Sequence, residues 1–138
     1  MGTESILYID DEEDLVDIAK EMLGSLSYKV VGTTSSIEAL KLFQANPEKF
    51  DLIITDMAMP KMTGVELAKE FMRIRPDIPI ILCTGFSEAI TEEEAKALGI
   101  RKFILKPILK DKLALAISRV LYENKHRRKK AASLKPSG

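Results

Sequence analysis

Five short, continuously apolar runs alternate with amphipathic stretches along the chain, and this alternation constrains the fold more than any other feature. Runs that are apolar at every position are typical of parallel strands that are covered on both faces. The stretches between them carry apolar residues at every third or fourth position, which is the spacing of a buried helix stripe. The five runs are residues 6–9, 30–31, 52–54, 80–82 and 103–105.

This alternation predicts an α/β domain with an open parallel sheet and helices on both of its faces. A chain of 138 residues with 46% apolar content is long enough for one domain of ordinary size. We place that domain at residues 4–124. Three helical stretches open with the capping-box pattern, namely Ser35 with Glu38, Thr63 with Glu66, and Thr91 with Glu94.

The last fourteen residues are basic and lose the apolar period. They contain six basic residues and no acid, so only 15 of the 21 basic residues offset the 21 acids of residues 1–124. The net charge of zero therefore hides an acidic body. We predict that residues 125–138 form a frayed helix end and a solvated basic linker or tail. Because this segment is too short for a folded nucleic-acid reader, we expect no direct nucleic-acid binding by the domain.

The single cysteine, Cys83, permits no internal disulfide and fits a reducing compartment. No apolar run approaches the ~18–20 residues that span a bilayer. The first residues show no basic segment that leads into an apolar stretch, as a secretory signal would. We therefore expect a cytoplasmic protein without membrane association.

Polar residues follow four of the five apolar runs. Asp10 and Asp11 follow the first, Asp56 the third, Thr84 the fourth and Lys106 the fifth. Ligands of open parallel sheets bind beyond the carboxyl ends of the strands. We therefore expect three carboxylates, a hydroxyl and an ammonium group to meet on one rim of the sheet.

Three carboxylates at such a rim repel one another and cannot all stay ionised unless a cation neutralises them. Mg²⁺ suits the position, because it binds one or two carboxylates, keeps several waters and leaves room for a phosphate oxygen. The lysine and the threonine would supply a charge and a hydrogen bond to that phosphate. One carboxylate could then attack phosphorus and form an acyl phosphate. Composition leaves open which aspartate attacks.

The sequence resembles the receiver domain of two-component response regulators over about residues 4–123. The resemblance rests on motifs that occur in order at successive strand ends: Asp10-Asp11, Asp56 with Met59-Pro60 and Gly64, Thr84-Gly85, and Lys106-Pro107. It implies a flavodoxin-like (βα)5 doubly wound sheet, with five parallel strands in the order 2-1-3-4-5. It also implies a cis bond between Lys106 and Pro107.

The resemblance implies a role for each acidic residue of the rim. Asp56 would accept a phosphoryl group from a histidine kinase, which could lie on the same chain, with Mg²⁺ as the cofactor. Asp11 would bind the metal directly and Asp10 mainly through water. Asp56 itself and the backbone carbonyl of Ala58 would complete the protein ligands.

The remaining residues of the implied site form a switch. Lys106 would contact the phosphate, and Thr84 would swing its hydroxyl toward it. Phe103 would turn inward as Thr84 moves, and the face of the fourth helix, fifth strand and fifth helix would change for a downstream protein or output domain. Phosphate then selects one of two existing arrangements. Such a domain catalyses only its own phosphorylation and dephosphorylation, as a monomer or a weak phosphorylation-dependent dimer.

Three alternative functions stay open from the residues. An aspartyl-phosphate phosphatase wants a second acid where this chain has Ala58, and a flavodoxin-type cofactor binder would meet repulsion from Asp10 and Asp11. A receiver-like interaction module without phosphorylation is the third. Residues 82–88 also resemble receivers at the ends of hybrid sensor histidine kinases; a stand-alone receiver and one followed by a DNA-binding output domain fit equally. A bulky Phe86 beside the site predicts slow self-dephosphorylation.

Overall fold

All five predicted apolar runs lie in strands of one sheet. The computed structural model describes residues 3–85 and 90–134. The strands are β1 (Ser5–Ile9), β2 (Lys29–Thr33), β3 (Leu52–Asp56), β4 (Ile80–Thr84) and β5 (Lys102–Leu105). The helices are α1 (Glu13–Gly24), α2 (Ser36–Ala45), α3 (Gly64–Ile74), α4 (Glu92–Ala97) and α5 (Lys110–Leu134). In the ranges that the structure describes, no helix is both long enough and apolar enough to cross a bilayer.

The sheet is parallel throughout and its strand order is β2-β1-β3-β4-β5. This confirms the predicted fold class and strand order. Every residue of β3 and β4 is buried, as the continuously apolar runs predicted. The carboxyl ends of the strands share one rim, because Asp56 pairs with Cys83 and Thr84 pairs with Leu105 across neighbouring strands.

Helices cover the two faces of the sheet and form two separate cores. Alternate strand residues feed them: Ile6 and Tyr8 face α1 and α5, whereas Leu7 and Ile9 face α2, α3 and α4. In the second core the rings of Phe43 and Phe71 pack edge to face, with their centroids 4.8 Å apart. A strand that buries its side chains on both faces cannot accommodate charged residues before its end. The charged residues therefore lie at the rim.

The apolar spacing of the first helix, α1, predicts that Ile18 lies in one buried stripe with Ala19 and Leu23, and this is wrong for Ile18. Val16, Ala19 and Leu23 form its buried face, whereas Ile18 is 53% exposed. The apolar residues of this helix fit two overlapping stripes, and only the position of the helix on the sheet decides between them. The capping boxes predicted at Thr63 and Thr91 are present with both of their hydrogen bonds.

Helix α5 continues ten residues past the boundary that we predicted for the folded domain, up to Leu134. The loss of the apolar period after residue 124 led us to expect a frayed helix end there. Lysine, arginine and alanine have a high intrinsic helix propensity, which does not depend on a packing partner. The helix therefore persists where its burial ends.

A buried arginine joins two loops on the side of the sheet opposite the rim. Arg75 is only 5% exposed, and its Nη1 donates hydrogen bonds to the carbonyls of Pro47 (2.9 Å) and Phe50 (2.6 Å). Its Nε donates to Asp77 Oδ1 at 3.0 Å. One guanidinium thus holds the loop before β3 against the loop before β4.

We expect Arg75→Met to lower the free energy of unfolding by about 3 kcal/mol, because the buried carbonyl of Phe50 and the half-buried carbonyl of Pro47 lose their donor. Urea denaturation measures this loss. The matched control is Arg73→Met, since Arg73 pairs with Glu70 at the exposed surface, where ion pairs contribute little to stability. Equal losses in both variants would contradict a structural role for the Arg75 contacts.

Candidate functional site

The three aspartates predicted for the rim lie together. Asp10, Asp11 and Asp56 each offer a carboxylate oxygen, and these atoms all lie within 4.8 Å of one another. Asp10 and Asp56 are 1% and 5% exposed, whereas Asp11 is exposed at the mouth. Asp56 is the last residue of β3, and Asp10 follows β1 directly, so the adjacent strands bring the carboxylates together.

Lys106 faces two of these carboxylates. Its Nζ lies 2.8 Å from Asp56 Oδ1 and 3.3 Å from Asp10 Oδ2. The lysine reaches them from the end of β5, where its backbone N–H donates to the carbonyl of Thr84 at 2.8 Å. One ammonium group against three carboxylates leaves the rim with an excess of negative charge.

The electrostatics of the rim favour a bound cation. Burial raises the pKa of Asp56, and the neighbouring Asp10 and Asp11 raise it further, while Lys106 offsets only part of this increase. Burial lowers the pKa of Lys106, but the contacts with Asp56 and Asp10 outweigh it and leave that pKa above its usual value. Lys106 is therefore protonated at neutral pH, and the carboxylates still need more positive charge than it provides.

The donor set fits Mg²⁺. Hard divalent cations take oxygen ligands, and a site with few carboxylates and an open side keeps room for waters and a phosphate oxygen. Asp10 and Asp56 line the buried side of the rim, and the exposed Asp11 lies at its open side. The rim can therefore hold such an ion.

The loop after β3 is held close to Asp56 by the backbone. Met57 donates its N–H to the carbonyl of Cys83, and Gly64 donates to the carbonyl of Met57, both at 2.8 Å. Ala58 follows in this loop and is exposed. Its backbone carbonyl stays a predicted ligand, and its methyl side chain provides no group to position a hydrolytic water.

Gly64 begins α3 directly against the backbone of Asp56. A Cβ atom at this position would press on the Asp56 carbonyl oxygen and lie 3.0 Å from its carbonyl carbon and 2.8 Å from Leu82 Cδ1. Only glycine allows so close an approach, so the start of α3 positions the end of β3. The sequence marked Gly64 as part of a motif, but its contact with Asp56 is visible only in the fold.

The two predicted switch residues lie in neighbouring strands. Thr84 is fully buried and its Oγ1 donates to the carbonyl of Gly85 at 3.3 Å, so a swing toward the rim would break this bond. Phe103 pairs with Leu82 and is half-buried. It lines a groove of about 410 Å³ between α4, β5 and α5, together with Leu105 and Leu115.

Two further side chains lie beneath the rim and are chemically quiet. Burial, and then the charge of Asp56, raises the pKa of Cys83 to about 12, so its thiol stays protonated. Burial likewise raises the pKa of Tyr8 far above its ordinary value.

Asp10 has a second role that the sequence did not show, because its Oδ1 accepts a hydrogen bond from Glu12 N–H (3.0 Å) before α1. Phe86, predicted to shield the phosphate, lies outside the described residues.

Fold and rim together define a flavodoxin-like α/β protein with a cluster of three aspartates that could hold a cation. The chain belongs to the response regulator receiver domain family, whose family model matches residues 6–118. It is thus a receiver domain of two-component systems, as the sequence motifs predicted. The Lys106-Pro107 bond is cis, which that resemblance also implied.

Similar proteins share this domain and extend beyond it. The response regulator SaeR of Staphylococcus aureus strain USA300 is 34% identical over 116 residues, which cover 84% of this chain and 50% of SaeR. The transcriptional regulatory protein ZraR of Klebsiella oxytoca is 32% identical over 116 residues, 84% of this chain and 26% of ZraR. The chain therefore spans half or less of the length of these curated relatives.

Two solved structures share the fold of this chain, one of them over nearly its whole length. A response regulator receiver domain protein from Clostridium thermocellum superposes with a TM-score of 0.84 at 31% identity, covering 88% of this chain and 97% of that one. NtrX from Brucella abortus, solved in complex with ATP, superposes with a TM-score of 0.85 at 26% identity, covering 99% of this chain and 31% of NtrX.

Proposed function

We propose that this receiver accepts a phosphoryl group from a histidine kinase onto Asp56, with Mg²⁺ as cofactor, and passes the change to a partner or output domain. The observation that carries the proposal is the buried Asp56 carboxylate, 2.8 Å from Lys106 Nζ and within reach of two further acids. An Asp56 oxygen attacks phosphorus, a P–O bond forms, the P–N bond to the histidine breaks, and the imidazole takes up a proton.

Asp56 is better placed for attack than Asp10. Both oxygens of Asp10 are engaged, Oδ1 by Glu12 N–H at 3.0 Å and Oδ2 by Lys106 at 3.3 Å. The contact of Asp56 with Lys106 uses Oδ1, which leaves Oδ2 for phosphorus. Mg²⁺, when bound by Asp10, Asp11, Asp56 and the Ala58 carbonyl, supplies positive charge to the phosphoryl oxygens. Lys106 supplies a second charge, and Thr84 would donate its hydroxyl.

The surface beside the rim supports a protein as the phosphodonor. An apolar groove of about 340 Å³ lies next to Lys106, between α1 and the segment that follows β5. Ile18 contributes an exposed side chain from α1, and Pro107 and Ile108 form the other wall. A histidine on a folded partner has to approach Asp56 across this surface, where apolar side chains would be buried. A small phosphate ester would gain nothing from it.

The proposal is tested by incubating the chain with acetyl phosphate and Mg²⁺. We expect one phosphoryl group per chain, mapped to Asp56 by peptide mass analysis, and no labelling when a chelator removes the metal. Release of phosphate from many esters with continuous turnover would favour the phosphatase. Absence of labelling with Mg²⁺ present would favour an interaction module without phosphorylation.

Lys106 offers a second prediction, because its charge acts differently on the metal and on the phosphate. Lys106→Met removes a cation close to the Mg²⁺ ligands, so we expect Mg²⁺ to bind at least as tightly as before, and the labelling rate to fall by about tenfold to a thousandfold. Calorimetric titration measures the first effect and phosphoryl incorporation the second. A parallel loss of both would instead indicate that Lys106 only holds the rim together.

The output of the domain rests on the same arrangement. Phosphate at Asp56 would draw Thr84 toward the rim, and the half-buried Phe103 would move into the space that opens. The groove of α4, β5 and α5 would then change for a downstream partner. Attachment to a hybrid kinase, a DNA-binding output domain or neither, a weak phosphorylation-dependent dimer, and the cytoplasmic location all stay predictions.

A further inference from the structure

Helix α5 carries a cationic segment that the receiver function does not use. Residues 125–130 are all basic, counting His126, and the helix continues through them to Leu134. The side chains of Lys125, His126, Arg127 and Lys129 are exposed. We call residues 125–134 the basic extension. As a regular helix rather than a solvated linker, it presents its charges in a defined arrangement.

The basic extension lies at the end of the domain opposite the acidic rim. Asn124, just before it, accepts a hydrogen bond from Arg101, which precedes β5. Lys125 lies 3.6 Å from Glu4, which precedes β1. The helix begins near the rim at Lys110, so the extension starts about 22 Å away from that end. Since charges are screened over about 10 Å at 0.1 M salt, the carboxylates of the rim do not neutralise it.

For the side chains that the structure describes in this segment, ion pairs neutralise little of the charge. The contact of Lys125 with Glu4 is long, and the lysine stays largely exposed. Burial and then the like charge of Arg127 lower the pKa of Arg101, with only partial compensation from Glu123 and Asp77. Positive charge therefore accumulates where α5 leaves the body.

We propose that the basic extension binds the phosphate backbone of a nucleic-acid duplex. Successive helix positions are about 100° apart, so the charges of Lys125 and Arg127 lie about 200° apart, on opposite sides of the helix. A partner that meets charge on several sides must flank the helix, as the walls of the DNA major groove do; that groove is about 12 Å wide and admits an α-helix. A flat acidic protein surface would meet one side only.

An anionic membrane fits the basic extension less well. Helices that lie on membranes bury an apolar face beneath their basic one. Residues 125–130 contain no apolar residue and residues 131–134 add only two alanines and one leucine, too few for such a face. The net negative charge of residues 1–124 would repel the phosphates of a duplex. Phosphate contacts would therefore be confined to the basic extension. The proposal revises our expectation that residues 125–138 are only a solvated tail, whereas residues 4–124 are still expected to make no nucleic-acid contacts.

The test uses the whole chain and a fluorescent duplex of about 20 base pairs, followed by anisotropy at salt concentrations from about 50 to 200 mM. We expect binding that weakens steeply with salt. Lys125→Gln, Arg127→Gln and Lys129→Gln combined should weaken binding at least about tenfold at low salt and reduce the slope of log K against log salt by up to about 2.7. Circular dichroism checks that the variant keeps its helix.

A matched variant removes the same charge from the body by Lys20→Gln, Lys41→Gln and Lys69→Gln, all exposed positions. It should bind the duplex as the unmodified chain does or nearly so. Equal loss in both variants would overturn the proposal, since net charge alone would then govern binding. No binding at low salt would also overturn it, as would binding to phosphatidylserine vesicles or polyglutamate without binding to the duplex.

Discussion

Substituting Asp56 with asparagine is expected to abolish labelling by acetyl phosphate, a loss of at least about a thousandfold in rate. An amide is not nucleophilic at oxygen in the way a carboxylate is, and it cannot form the acyl phosphate. Asparagine has nearly the same shape, so Lys106 and Asp10 keep their positions and their contact at 3.3 Å. The loss therefore reports chemistry rather than unfolding, which a thermal melt would verify.

Asp17→Asn is the control for this substitution. Asp17 is exposed on α1, outside the group of acids on the rim, so its loss changes the net charge by the same amount without touching the site. We expect it to be labelled at the unmodified rate. Labelling of Asp56→Asn at an undiminished rate would move the phosphoryl acceptor to Asp10 or Asp11 and contradict the assignment.

The second large effect is expected from Gly64→Ala. The added methyl group would press on the Asp56 carbonyl oxygen, and the neighbouring atoms are buried backbone and a leucine in β4, none of which can move aside easily. Overpacking of this kind costs about 1–3 kcal/mol in unfolding free energy. Because α3 would push on the residue that carries the carboxylate, we also expect labelling to slow by more than about tenfold.

Gly24→Ala is the control, because it makes the same substitution at a helix position where the added methyl group has no close neighbour. Gly24 is the last residue of α1, and a Cβ atom there would meet nothing within 4 Å. Alanine in a helix is favoured over glycine by up to about 1 kcal/mol, so this variant should unfold at an equal or higher urea concentration. A Gly64→Ala protein that is as stable and as readily labelled as the Gly24→Ala protein would show that the contact between α3 and β3 is not tight.

The sequence predicts the sheet well because its information is local. A run such as residues 52–54, which is apolar at each position, is typical of a strand that is covered on both faces. The charged residue that follows such a run is therefore expected at the end of the strand. The convergence of Asp10, Asp56 and Lys106 follows from parallel strands alone. The strand order, the metal ligands and the role of each aspartate came from resemblance to a family and not from periodicity.

What the sequence could not predict depends on distant neighbours. Arg75 has the appearance of a surface residue, and its burial depends on carbonyls that lie 25 and 28 residues earlier in the chain. Ile18 fits the spacing of a buried helix stripe, yet α1 packs on the sheet with the face that carries Val16 and leaves Ile18 exposed. The basic extension lacks an apolar pattern, and its described side chains, those of Lys125, His126, Arg127 and Lys129, are exposed. The burial of Arg75 and the orientation of α1 depend on contacts between residues far apart in the sequence, which local sequence patterns do not reveal.

Helix α5 connects the two ends of the domain. It begins at Lys110, close to Lys106, and its buried residues from Leu113 to Leu121 pack along the sheet. The hydrogen bond of 3.0 Å between Arg101 and Asn124 holds it again about 21 Å from Lys110. Any rearrangement after Lys106 that shifts this helix would therefore also strain the contact of Asn124 with Arg101 at the opposite end of the domain.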